Sequence, residues 1–117
     1  MAYATVSVEI REGITVIRVL PQRVFLKTSE QFREEIIQVL DGGTLKVIID
    51  LSRVNMMNSA GLGVLILSRD TMLRRGGTLV VCGLFNTMRE IFARMHLDSY
   101  FKLQPDCETA LADLLRA

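Results

Sequence analysis

The run Leu45 to Leu51, LKVIIDL, is almost continuous in apolar, mostly branched residues. A strand with one wet face alternates apolar and polar side chains. A run without that alternation belongs to a strand covered on both faces, the usual condition of a parallel sheet clothed in helices. A second run of the same kind, TLVVCGL from Thr78, follows the helix-stopping pair Gly76-Gly77. Two such strands in one short chain require crossover connections, and these set the fold class.

Helical periodicity fills the intervals. Thr28-Ser29-Glu30-Gln31 predicts an N-cap at Thr28 with Gln31 in the capping-box position, and Phe32, Ile36, Val39 and Leu40 follow on one face until Asp41-Gly42-Gly43. A second helix is predicted from about Ala60 to Arg75. Thr87-Met88-Arg89-Glu90 repeats the capping pattern before IFARM, SYFKL reads as a short edge strand, and a final helix from Asp106 carries Ala110, Leu111, Leu114 and Leu115. Upstream, TVSVEIREGITVIRVL alternates on both sides of Arg11-Glu12-Gly13 and predicts a hairpin. The 117 residues therefore form a single α/β domain over 1–117, a mixed and mostly parallel sheet with an opening hairpin and about four helices.

Composition narrows the function classes. A net charge of +1 supplies no general basic footprint for nucleic acid. No apolar run approaches the roughly 18 residues of a membrane span, and MAYATVSVEI lacks the basic and apolar regions of a signal peptide. A cytoplasmic protein without membrane insertion is expected. The two cysteines, Cys82 and Cys107, are far apart in sequence, and with one histidine they make a poor metal set. Reduced, structural thiols and no cofactor are expected.

The chemistry-bearing stretch is VNMMNSAGLGVL, Val54 to Leu65. Its Gly-x-Gly lacks the third glycine of a dinucleotide site, where Ile66 stands, and no lysine follows to make a P-loop. A nucleophile elbow fails as well, because Met57 occupies the first glycine position and His96 has no evident partnership with the serine. What remains is a capping role for Asn58 or Ser59 and a docking surface. Gly61 and Gly63 weaken a helix, which makes sense where something approaches the backbone closely. On a helical wheel Leu62, Leu65, Ile66, Met72 and Leu73 share a stripe, which leaves Val64 and Leu67 on the other side, either partly exposed as a docking patch or packed under the first or third helix.

VIIDLSRVNMMNSAGLGVL resembles the signature of STAS domains, in particular the bacterial anti-sigma factor antagonists. The Gly76-Gly77 stop, LVVCGL and MREIFARMHLDSYF match family counterparts in order and spacing. The resemblance implies a module that binds a serine-kinase anti-sigma factor and is released when the kinase, bringing ATP and magnesium, phosphorylates Ser59. It implies a partner-binding surface of Asn58, Ser59, Ala60, Gly61, Leu62, Gly63, Val64 and Leu67, and no catalysis by the chain itself. The family also includes constitutive subunits of stress-sensing assemblies and of transporter or lipid-transport complexes, in which Ser59 is only a cap. Two positions depart from the family pattern: Asn58 replaces an aspartate, and PQRVFLKT puts Phe25 near an expected acid.

Overall fold

The chain is described by a computed structural model over residues 3–116. Strands β1 (Val6–Arg11) and β2 (Ile14–Val19) form the opening hairpin in antiparallel register, with Val6 opposite Val19 and Arg11 opposite Ile14. Glu12 and Gly13 both have positive φ, 52° and 82°. Such a two-residue turn matches the twist of the strands it joins.

The rest of the chain alternates as the apolar runs require. In order come β3 (Arg23–Val24), α1 (Leu26–Leu40), β4 (Lys46–Asp50), β5 (Met56–Met57), α2 (Ser59–Arg74), β6 (Thr78–Cys82), α3 (Asn86–Arg94), β7 (Lys102–Gln104) and α4 (Cys107–Arg116). The main sheet has the order β1-β2-β4-β6-β7 and is parallel from β2 onward; β3 and β5 pair separately as a parallel two-stranded ribbon. A sheet that grows in one direction through right-handed crossovers puts every crossover helix on the same face. Accordingly α1, α2 and α3 share one core with Val47, Ile49, Leu79 and Val81, while α4 alone covers the other face over Ile14, Val16, Ile48, Val80 and Cys82. All three crossover helices begin at the end of the sheet where the parallel strands finish.

Two helix starts differ from the sequence expectation. The N-cap of α1 is Phe25, not Thr28, and that of α3 is Phe85, not Thr87; neither has a side-chain cap. In both cases a residue of positive φ follows, Leu26 at 49° and Asn86 at 45°. The Phe25 and Phe85 carbonyls accept from Thr28 N and Met88 N. The chain thus turns into each helix through its backbone, and Ser29, expected beside the cap, instead donates its hydroxyl to Leu26 O at 2.6 Å. Leu45, expected in β4, lies just outside it and is exposed. The α4 start agrees with expectation, since Asp106 Oδ1 accepts from Thr109 N.

Glu35 of α1 is a buried carboxylate that ties down the start of β1. It accepts from Ala4 N (3.0 Å), Thr5 N (2.8 Å) and the Thr5 hydroxyl (2.7 Å). Burial opposes its charge, but the hydrogen bonds from Thr5 and Ala4 together outweigh that and hold its pKa below the usual glutamate value. A depressed folded-state pKa contributes stability that is complete above the unfolded pKa and disappears as pH falls through the folded one. Glu35→Gln is expected to cost about 1–3 kcal/mol at neutral pH, because one donor loses its acceptor. The penalty should shrink on acidification; urea midpoints of both proteins between about pH 7 and pH 3 check this. A penalty independent of pH would show that Glu35 acts by packing alone.

Candidate functional site

The motif lies where β4 and the β3–β5 ribbon deliver the chain to α2. The ribbon is short, and its neighbours hold it. Gln22 O accepts from Asn55 N (2.7 Å) and Met56 N (3.2 Å), and Val24 O accepts from Asn58 N (2.9 Å). The loop before α1 and the loop before α2 are therefore one hydrogen-bonded unit.

Asn58 is the cap of α2. Its Oδ1 accepts from Gly61 N at 2.9 Å and its carbonyl accepts from Leu62 N at 3.0 Å. The side-chain amide also donates to Ser29 Oγ at 3.4 Å, a long bond. Because the Ser29 proton is already given to Leu26 O, that oxygen can only accept, and an amide supplies the donor that a carboxylate would lack. An asparagine can therefore make a contact here that an aspartate could not.

Ser59 follows as the first helical residue, exposed, with the capping task already taken by Asn58. Of the two residues considered for the cap, the structure selects Asn58 and leaves the serine hydroxyl at the open end of a helix. Ala60 and Gly63 are also exposed, and Leu67 is half-buried as expected. Val64 departs from the docking-patch expectation: only 3% of its surface is accessible, and it belongs to the main core. The single-stripe wheel failed here because α2 is wedged between the sheet and α1, so two of its sides are apolar. Leu62 is buried too, and Gly61 lies under the ribbon.

The two glycines have different causes. A Cβ on Gly61 would collide with Met57 Cγ and lie 3.2 Å from Val24 Cγ1, whereas one on Gly63 would meet nothing within 4 Å. Close approach at Gly61 is thus internal, by the ribbon. Gly63 alone keeps a bare backbone on the surface.

Little else near the motif suggests catalysis. His96 follows the C-terminal end of α3, about 13 Å of helix away from the end at which Ser59 lies. Asp50, at the end of β4, is buried, accepts from Ser52 N and pairs with Arg18 Nε at 3.2 Å. Burial pushes the Cys82 thiol far up, which makes it inert, and Cys82 and Cys107 are both free. Among the described residues no group of three His, Cys, Asp or Glu side chains could hold a metal ion, and no helix is long and apolar enough to cross a membrane. A cleft of about 540 Å³ lies between α3 and β7 around Leu84, Phe92 and Leu103, with Arg89, Glu90 and Asp98 at its sides. It does not include the serine motif.

A mixed five-stranded sheet with three helices on one face and one on the other is the architecture of the STAS class. The STAS domain model matches residues 5–110, and the chain belongs to that family. Within it, the chain is 33% identical over 84 residues to BtrV of Bordetella bronchiseptica, a protein assigned as an anti-sigma factor antagonist, with 72% of each chain covered. It is also similar to the crystal structure of an anti-sigma factor antagonist from Mycobacterium paratuberculosis, at a TM-score of 0.83 and 26% identity over 93% of this chain and 92% of that one. A sulfate transporter family protein from Wolinella succinogenes shares the fold at a TM-score of 0.71 and 16% identity, over 89% of this chain and 86% of that one.

Proposed function

We propose that the chain is an anti-sigma factor antagonist that sequesters a serine-kinase anti-sigma factor in the cytoplasm and releases it when Ser59 is phosphorylated. The observation that carries this reading is the division of labour at the start of α2. Asn58 caps the helix, so the exposed Ser59 hydroxyl is available to a partner. The antagonist assignment of a relative at 33% identity supports the class of partner. In the transfer, Ser59 Oγ attacks the γ-phosphorus of kinase-bound ATP, its proton passes to the kinase, and ADP leaves. The chain is ligand and substrate, with no catalysis of its own.

The docking surface is carried by Ser59, Ala60, Gly63, Asn58 and Leu67. Gly61, Leu62 and Val64 support it from beneath. Purified chain should co-elute with a histidine-kinase-like anti-sigma factor from the same genome, and ATP with magnesium should split the complex and add one phosphate at Ser59 by mass spectrometry. Stable binding with no modification would instead favour a constitutive module.

Asn58→Asp tests the departure from the family pattern. A carboxylate beside the hydroxyl is expected to speed single-turnover phosphorylation by helping to orient it. Because the Ser29 contact is lost, the variant should also be less stable by about 1 kcal/mol. A rate no faster than wild type would mean that the asparagine suits this kinase.

A further inference from the structure

The three loops that lead into α1, α2 and α3 lie at one end of the sheet, and none of them carries an acid. Residues 20–29, 51–63 and 83–89 contain none of the chain's 13 carboxylates but do contain Arg23, Lys27, Arg53 and Arg89. All four are exposed, and none forms an ion pair among the described residues. Asp50 is buried and committed to Arg18, and Glu30 is one turn into α1. Arg89 lines the cleft between α3 and β7 together with Glu90 and Asp98, which leaves Arg23, Lys27 and Arg53 as the cations away from that cleft. With a net charge of only +1 overall, the chain has concentrated positive charge at the end that bears Ser59.

Leu26 stands among these cations. It is 82% exposed, and its backbone is left-handed at φ 49°, a region unfavourable for leucine. An exposed large apolar group held in strained backbone gains nothing inside the chain. Met56, 40% exposed, extends the apolar surface across the ribbon. The left-handed backbone serves the turn into α1, but that turn has no use for a large exposed apolar side chain.

We infer that the partner docked at Ser59 presents an acidic surface with an apolar recess that receives Leu26. The inference rests on the proposed function for the identity of the partner and adds the chemistry of its face. An acidic protein fits better than a nucleic acid, because four scattered cations make a weak phosphate track and a phosphate backbone offers Leu26 nothing.

The test is calorimetry of the full chain with the anti-sigma factor that phosphorylates it. Arg53→Glu and Lys27→Glu should each lower affinity about tenfold at low salt, with the deficit narrowing to roughly twofold near 0.5 M salt. Leu26→Gly should raise the melting temperature while lowering affinity about tenfold, which separates docking from folding. A charge reversal that leaves affinity unchanged or improves it overturns the inference and leaves the antagonist reading intact. So does wild-type affinity in Leu26→Gly.

If no anti-sigma factor of that genome binds, the antagonist reading fails by itself. The surface is then read with ¹⁵N-labelled chain titrated with a synthetic Glu/Leu peptide, a Lys/Leu peptide of equal length and a single-stranded oligonucleotide. Shifts over 23–29 and 53–63 with the acidic peptide, absent in Leu26→Gly, support the inference. Preference for the basic peptide or the oligonucleotide, or no shift at those residues, refutes it.

Discussion

Ser59→Glu is expected to weaken the complex with the anti-sigma factor by about 100-fold or more, close to 2.8 kcal/mol, while leaving the melting temperature where it is. The two effects separate because the same charge meets two environments. In the free chain it lies at the N-terminus of α2, where the helix dipole favours it by roughly 0.3–1 kcal/mol. In a complex it must be stripped of water and placed against the partner, which typically costs about 2–5 kcal/mol. Phosphoserine carries more charge than glutamate, so the phosphorylated chain should bind more weakly still. Ser59→Ala should bind as tightly as the unmodified chain and resist dissociation by ATP. Equal affinity of the glutamate and alanine variants, measured by calorimetry, would remove the switch.

Alanine at Gly61 and alanine at Gly63 are expected to move stability in opposite directions. At Gly61 the added methyl collides with Met57 and Val24, both buried, so the β3–β5 ribbon must shift at a cost of about 1–3 kcal/mol. At Gly63 the space is open and the residue is inside a helix, so alanine should stabilise by up to about 1 kcal/mol. Urea unfolding of both variants gives the comparison directly. Binding supplies an independent readout, since Gly63→Leu should obstruct docking without unfolding the domain. A Gly63→Leu chain that still binds its partner would show that the partner does not approach that backbone.

Features whose cause is local were legible in the sequence. The doubly buried strands, the Glu12-Gly13 turn, the Gly76-Gly77 stop, Asp106 before α4 and the asparagine-serine start of α2 each follow from side chains or dihedrals within a few residues. What escaped depended on neighbours distant in sequence. Two-residue strands such as Arg23–Val24 and Met56–Met57 have no periodicity; each exists because the other is there. Thr28 and Thr87 looked like caps, but left-handed Leu26 and Asn86 had already turned the chain into the helix. Val64 appeared to be off-stripe because a wheel assumes one buried side, and α2 has two. The antagonist motif was visible as a pattern; the difference in role between Gly61 and Gly63 was not, since it is Met57 and Val24 that create it.

The gathering of three helix starts at one end has a consequence for evolution within a single cell. Under the proposed function, a genome with several chains of this kind must keep each antagonist from answering to another's anti-sigma factor. Here the residues that would be rewritten, such as Lys27, Arg53 and Gly63, are exposed and lie in a loop or near the start of a helix, while the strands and the α4 face stay untouched. Val24, Leu51, Val54, Met57, Leu62 and Met88 lock that end to the interior. Duplicated copies can therefore drift into separate, mutually deaf circuits through a few loop substitutions, each tolerated by the fold before any new pairing has been selected.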